Sequence, residues 1–203
     1  MLRIAFAFTL AFAGAAYAKT ETAILAGGCF WCVESNFEGV AGVKDVVSGY
    51  TGGSSQNPTY DDHEGHYEAV KITFDDSKIS YAEVINKFLR STDVTDAGGQ
   101  FCDRGNAYRS AIFAQNAEQQ AIAKAEVAKA TIDLGQKIVT PVLGAKTFWN
   151  AEAYHQDYYK STEIVLTRRG PKEKRNAYKF YREACGRDAR VKQLWGSAAQ
   201  FVH

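Results

Sequence analysis

An α+β fold is predicted: a two-layer sandwich in which a mixed sheet carries packed helices and long ordered loops. Three observations lead to it. Short apolar runs with strand character are interspersed with amphipathic helical stretches, without the strict alternation of a doubly wound sheet. The 203 residues, 46% of them hydrophobic, supply one substantial core rather than several small ones. Three Pro and 17 Gly, with no repeat and no low-complexity tract, exclude fibrous, collagenous and largely disordered chains. Charge narrows the field further: 24 Lys+Arg against 23 Asp+Glu give a net charge of +1, which creates no global attraction to nucleic acid or acidic lipid.

The chain opens on a leader-like segment. Arg3 precedes an apolar run from Ile4 to Ala16, too short to span a bilayer, and Ala16-Tyr17-Ala18 has the small residues that a signal peptidase requires. Cleavage after Ala18 is expected, leaving residues 19–203 as a single exported domain, periplasmic or secreted, with no stable membrane association. Thr22–Ala26 then reads as a strand stopped by Gly27-Gly28, and a helical pattern runs from Cys29 and fades by Gly39. Val43–Tyr50 and Tyr67–Phe74 are further strands, separated by the polar loop Thr51–Gly65. Ser80-x-x-Glu83 forms a capping box for a helix whose Tyr81, Val84, Ile85 and Phe88 share a face. Asp93–Arg109 reads as a long ordered loop, and Ser110–Ala114 as a strand. Asn116 caps an Ala-rich helix reaching about Leu134. A last strand is expected at Lys137–Val142 and a short helix at Asn150–Tyr159. A basic connector, Arg168–Lys174, leads to a final helix ending near Cys185-Gly186.

Cysteine chemistry stands out. Four cysteines in an exported chain are ordinarily two structural disulfides, yet a chain of this size does not need staples. In Gly27-Gly28-Cys29-Phe30-Trp31-Cys32 the first cysteine sits where a glycine turn meets a helix N-terminus, a place that favours a thiolate. Cys32 follows one turn later on the same face. A thioredoxin-like redox pair, half a zinc site and a structural disulfide all share the C-x-x-C spacing. Zinc fares worst, because a second C-x-x-C is missing and His63-Glu64-Gly65-His66 lacks the zincin spacing. Phe30 and Trp31 obstruct an open redox pair and point instead to a small apolar pocket beside a nucleophile.

These residues resemble the active-site motif of the peptide methionine sulfoxide reductase A family, in which GCFW is followed usually by Gly and then Glu two places later. The resemblance continues in order through Gly49-Tyr50-Thr51-Gly52-Gly53, Asn57-Pro58-Thr59-Tyr60, Gly65-His66-Tyr67-Glu68-Ala69-Val70, Asp103-Arg104-Gly105, Tyr108-Arg109-Ser110-Ala111-Ile112-Phe113 and Ala151-Glu152-Ala153-Tyr154-His155-Gln156. It implies that Cys29 attacks the sulfoxide sulfur, that Phe30 and Trp31 hold the S-methyl group, and that Glu68 protonates the sulfoxide oxygen. Tyr50 and Tyr108 are implied to assist at that oxygen and Asp103 to support the site by hydrogen bonding. No cofactor or metal is implied. The substrate is methionine-S-sulfoxide, free or in oxidised proteins, and the reductant a thioredoxin-like dithiol. His66 and His155 read as structural residues that bond loops together.

The chemistry explains why those residue types are needed. A sulfoxide becomes a good electrophile only when its oxygen is protonated, so a thiolate and a neutral acid must coexist. Burial should raise the Glu68 pKa, while the helix terminus should lower that of Cys29. Attack produces a sulfenic acid on Cys29, which a second thiol condenses to a disulfide. The sequence departs from the family at that step. Cys32 replaces the usual Gly, Cys102 precedes Asp103 where a thiol is not typical, and the glycine-rich, cysteine-bearing tail of many relatives is missing. Cys32 is the expected resolving thiol because it needs only local adjustment. Cys185 is the alternative, reaching the site or pairing structurally with Cys102. A general thiol–disulfide oxidoreductase using Cys29 and Cys32, and a module that binds oxidised methionine without turnover, are the competing functions.

Overall fold

The sheet is organised around β1 (Thr20–Gly27), an apolar strand whose side chains are buried alternately on both faces. The computed structural model describes residues 19–203; the expected leader, residues 1–18, lies outside the described residues. After β1 come α1 (Phe30–Phe37), β2 (Val43–Thr51), β3 (Tyr67–Asp75) and α2 (Tyr81–Leu89). A two-residue hairpin, β4 (Gly99–Gln100) and β5 (Asp103–Arg104), precedes β6 (Ser110–Ala114), α3 (Ala117–Leu134), β7 (Val142–Gly144) and β8 (Phe148–Asn150). A second hairpin, β9 (Ile164–Thr167) and β10 (Gly170–Glu173), leads into α4 (Lys174–Ala184) and α5 (Arg187–Trp195).

Six strands form one mixed sheet in the order β7-β6-β1-β3-β2-β8, antiparallel except for the β6–β7 pair. Ala23 and Leu25 of β1 join Val70, Ile72 and Phe74 of β3 and Ile112 of β6 on one face. There they meet Phe30, Val33 and Phe37 of α1, Val84, Ile85 and Phe88 of α2, and Ala123 and Ala130 of α3. Each large side chain so buried contributes about 1.5–3 kcal/mol. The opposite face carries Ile24, Ala26, Ala69, Ala111 and Phe113, closed over by Tyr67, Leu143 and Phe148. The result is the expected α+β arrangement of one sheet and one main helical layer. No helix among the described residues is long and apolar enough to cross a membrane.

Local signals acted as read at the helix ends. Ser80 Oγ accepts from the Glu83 N–H at 3.2 Å while Glu83 Oε2 accepts from the Ser80 N–H at 2.8 Å, and Asn116 Oδ1 accepts from the Gln119 N–H at 2.8 Å. Elsewhere tertiary partners override the local reading. The Asp93–Arg109 loop contains the β4–β5 hairpin, fastened by Gln100, whose side-chain amide exchanges two 2.8 Å hydrogen bonds with the Asp93 backbone. Lys137–Val142 is not a strand: the Val139 N–H goes to the Val94 carbonyl at 2.8 Å and Pro141 has none to give, so pairing begins only at Val142. Nor is this strand the last, since β8, β9 and β10 follow.

Asn150–Tyr159 holds only a 3-10 turn, Ala153–His155. Gln156 leaves the helical path to bond both backbone groups of Ser48, at 2.9 and 3.0 Å, and the Asp157 N–H is taken by Glu34 Oε1 at 2.8 Å. Arg168–Lys174 is largely strand β10 rather than a connector, and α4 is followed by α5, entered through Gly186.

Where β2 meets β8 the backbones approach so closely that a Cβ on Gly49 would lie 2.3 Å from the Trp149 carbonyl oxygen and 2.5 Å from the Phe148 ring. Gly49→Ala is therefore expected to destabilise the fold by about 1–3 kcal/mol, read as a lower urea midpoint at unchanged slope. A wild-type midpoint would show that the β8 edge yields freely.

Candidate active site

β1 ends in a turn that only glycine permits. Gly28 adopts φ +81°, and a Cβ there would sit 2.5 Å from Gln100 Cβ. The turn places Cys29 at the N-cap of α1, where it is 6% exposed. The first amide of the helix, Phe30 N–H, donates to Oε2 of Glu68 at 3.0 Å. Glu68 lies on β3 and is 2% exposed. Burial pushes its pKa up to about 8, with Asp103 adding to the rise and the Phe30 N–H opposing it, so the carboxyl is protonated at neutral pH.

Cys29 and Glu68 open onto a cavity of about 80 Å³ whose walls are Phe30, Trp31, Tyr60, Asp103, Tyr108 and Tyr181. A small space with aromatic walls suits a methyl sulfoxide group. Trp31 is fixed on three sides: its ring stacks on Tyr158 at 3.8 Å, its edge contact with Tyr181 is 6.4 Å between centroids, and its Nε1–H donates to His155 Nδ1 at 3.2 Å. Asp103 accepts a short hydrogen bond from the Tyr181 hydroxyl, and burial raises its pKa as well. A larger cavity of about 720 Å³ lies behind α4, beside Ser35, Tyr178 and Arg182, but neither Cys29 nor Glu68 lines it.

Of the residues expected from sequence, Cys29, Phe30, Trp31, Glu68, Asp103 and Tyr108 meet at this cavity, and Tyr50 does not. Tyr50 is fully buried against Phe30 at 5.8 Å, and its hydroxyl donates to Glu152 Oε2 at 3.1 Å. In its place Tyr60 joins Tyr108 in the cavity wall, and its backbone N–H donates to the other oxygen of the same carboxylate, Glu152 Oε1, at 2.8 Å. Tyr60 was visible in the Asn57-Pro58-Thr59-Tyr60 block, but only the fold shows which tyrosine faces the cavity. Tyr181 carries no motif; α4 delivers it from the far end of the chain. His66 is structural as expected, with Nε2 3.0 Å from Ser55 Oγ.

The cysteines divide into two pairs. Cys102 and Cys185 are joined in a disulfide with their Cα atoms 5.0 Å apart, whereas Cys29 and Cys32 are free and buried. The electrostatics of the free pair reverse the sequence expectation for Cys29. Burial raises its pKa, and its S–H donates to Cys32. The Cys32 thiol is brought down to about 6, first by that hydrogen bond and then by the charges of Arg187 and Arg182, with desolvation opposing. The N-terminus of α1 does not leave Cys29 the more acidic thiol, because its leading amide is committed to Glu68 and the sulfur is out of water. Of the two, Cys29 holds its proton more tightly, and Cys32 lies in the field of the two arginines.

One acidic cluster has metal-like spacing: single oxygens of Glu34, Glu38 and Asp157 lie within 4.8 Å of one another. Lys160 already bridges Glu38 at 2.7 Å and Asp157 at 2.9 Å, and burial pushes the Glu34 pKa up to about 7, so a cation from the chain and a proton already serve the cluster.

Residues 21–195 match the family described as Peptide methionine sulfoxide reductase. The chain is 48% identical over 204 aligned positions to peptide methionine sulfoxide reductase MsrA 2 of Rhizobium meliloti (strain 1021), covering 98% of this chain and 97% of the relative. It is 46% identical to MsrA 2 of Caulobacter vibrioides, covering 96% and 98% respectively. Among solved structures, methionine sulfoxide reductase A of Corynebacterium diphtheriae superposes with a TM-score of 0.65 at 30% identity, over 68% of this chain and 73% of the other. Mxr1 of Saccharomyces cerevisiae in reduced form superposes with a TM-score of 0.64 at 26% identity, over 69% and 84%. By the match of its sequence along nearly its whole length, and by a fold that places the matching motifs around one cavity, the chain belongs to the peptide methionine sulfoxide reductase A family.

Proposed function

We propose that the protein reduces methionine-S-sulfoxide, free or within oxidised proteins, with Cys29 as nucleophile, Glu68 as acid and Cys32 as both base and resolving thiol. One observation carries this reading: a buried thiol and a protonated carboxyl face the same methyl-sized aromatic cavity. Phe30 and Trp31 hold the S-methyl group, while Tyr60 and Tyr108 bracket the sulfoxide oxygen. Asp103 has a different part, aligning Tyr181 across the cavity. Burial raises the pKa of both Tyr60 and Tyr108, which keeps their hydroxyls protonated as donors.

Glu68 gives its proton to the sulfoxide oxygen as the Cys29 sulfur attacks the substrate sulfur, and the Cys29 proton passes to the Cys32 thiolate. The oxygen is transferred to Cys29 as a sulfenic acid, and methionine departs. The Cys32 thiol then attacks that sulfur, expelling the hydroxyl as water and closing a Cys29–Cys32 disulfide. An external dithiol of thioredoxin type reduces the disulfide to two thiols and is itself oxidised. Such a partner fits a chain whose remaining cysteines are already bonded to each other, and Trx2 is the partner in a solved complex of the yeast neighbour. The buried acid beside Cys29 has a part in activating a sulfoxide oxygen and none in simple thiol–disulfide exchange, which favours the reductase over a general oxidoreductase.

We also propose that residues 1–18 direct export and that 19–203 form the catalytic domain. The basic residue, apolar run and Ala16-Tyr17-Ala18 support this reading. Protein recovered from its host should begin at Lys19, and an intact Met1 would refute export with cleavage.

With dithiothreitol as reductant, the S epimer should be turned over and the R epimer left unchanged. Cys29→Ser should abolish turnover and Glu68→Gln should lower kcat by about 10²–10⁴-fold. The pH profile should be bell-shaped. Activity rises as Cys32 ionises near pH 6 and falls as Glu68 loses its proton near pH 8, and Glu68→Gln should remove the upper limb. A falling limb that survives in Glu68→Gln would take the acid role away from this residue. Peptide mapping after one equivalent of substrate should find Cys29–Cys32 linked with Cys102–Cys185 intact. A Cys29–Cys185 or Cys29–Cys102 linkage would make Cys32 a bystander.

A further inference from the structure

Beside the catalytic cavity lies a second depression, about 330 Å³, and the two share Trp31 and Tyr60 as a common wall. Its remaining apolar lining comes from Tyr154, Tyr158 and Val165. Glu163 and Lys174 also border it, but they pair with each other at 2.5 Å, and Lys174 donates to the Tyr154 carbonyl at 3.0 Å. The trough therefore presents rings and methyl groups without a free charge.

His155, also part of this lining, is 2% exposed. Its Nδ1 accepts the Trp31 Nε1–H at 3.2 Å, so the neutral ring carries its own proton on Nε2. Burial lowers the His155 pKa to about 4, which keeps the ring neutral at physiological pH. The Nε2 atom is buried and meets no partner among the described residues. Native structures rarely leave a buried donor unmatched, and such a group has most to gain from an incoming acceptor. Tyr154, half exposed, packs against the ring with centroids 4.2 Å apart.

We propose that the trough is the subsite for the polypeptide flanking the oxidised methionine. An uncharged side chain next to the sulfoxide residue packs on Tyr154, Tyr158 and Val165, and a main-chain carbonyl of the same peptide accepts the His155 Nε2–H. This deepens the activity proposed above and rests on it. Continuity through Trp31 and Tyr60 places the flank beside the reacting sulfur, and the internal Glu163–Lys174 pair removes any preference for a charged neighbour.

The test compares free methionine-S-sulfoxide with a pentapeptide carrying that residue between leucines, in wild type and Val165→Asp. The variant should lose about tenfold in kcat/KM for the pentapeptide while kcat and KM for the free amino acid stay at wild-type values. In Cys29→Ser protein, addition of the pentapeptide should move the His155 Nε2–H proton resonance downfield. Equal losses on both substrates, no loss on the pentapeptide, or an unmoved resonance would overturn the subsite. If wild type reduced neither substrate, the activity itself would fall. Pentapeptide binding to Cys29→Ser would then judge the trough alone: loss on adding Val165→Asp upholds it, and unchanged binding refutes it.

Discussion

The hydrogen bond from the Phe30 amide to the Glu68 carboxyl holds this site together. It ties the first turn of α1 to β3, so Cys29 and the Glu68 carboxyl are set relative to each other through the helix backbone. It also leaves the second carboxyl oxygen to carry the proton. A donor aimed at a carboxylate ordinarily favours its ionised form. Here desolvation outweighs that pull, and Glu68 stays protonated to about pH 8. Had the carboxyl been exposed, the same hydrogen bond would have made it a poor acid. The apolar packing of Phe30 and the sheet is thus part of the chemistry as well as of stability.

The paired thiols follow the same logic. Burial makes a charge on Cys29 unfavourable, whereas Cys32, one turn along, lies within the field of Arg187 and Arg182, which favours its ionised form. Both arginines are nearly inaccessible. Arg187 is bound to the Gly27 carbonyl at 3.1 Å and lies over the Phe101 ring, and Arg182 is held by Asn36, Tyr178 and Asp188. Buried cations need such partners to be tolerated, and these two come from the C-terminal helices. The N-terminal motif therefore supplies the sulfur atoms, and the other end of the chain supplies the field that sets their protonation.

That division explains what was legible in the sequence. The strand-turn-helix around Cys29, the capping box at Ser80 and the Asn116 cap could be read because their signals are local and their partners lie within a few residues. The cavity residues within motif blocks were legible too, with one exchange: Tyr50 and Tyr60 both occur in matching blocks, and only the sharing of Glu152 between them decides which one faces the substrate. The segments after Thr140 were misread because their conformation is imposed from a distance. Glu34 takes the Asp157 amide and Ser48 takes Gln156, so a stretch with helical composition is drawn out along the sheet edge. Tyr181 meets Asp103 and Cys185 meets Cys102 across 78 and 83 residues, contacts that no local pattern encodes, although the cysteine pairing stood among the alternatives for Cys185.

The crosslink has a consequence for how the protein is made. Its two cysteines are 83 residues apart, and the later one lies just beyond Tyr181, which closes the catalytic cavity against Asp103. The sheet, α1 and the Cys29–Glu68 neighbourhood come from residues up to Asn150, whereas the Tyr181 wall and the arginines beside Cys32 come from α4 and α5. Until those two helices pack, the cavity lacks one wall and Cys32 lacks its two cations.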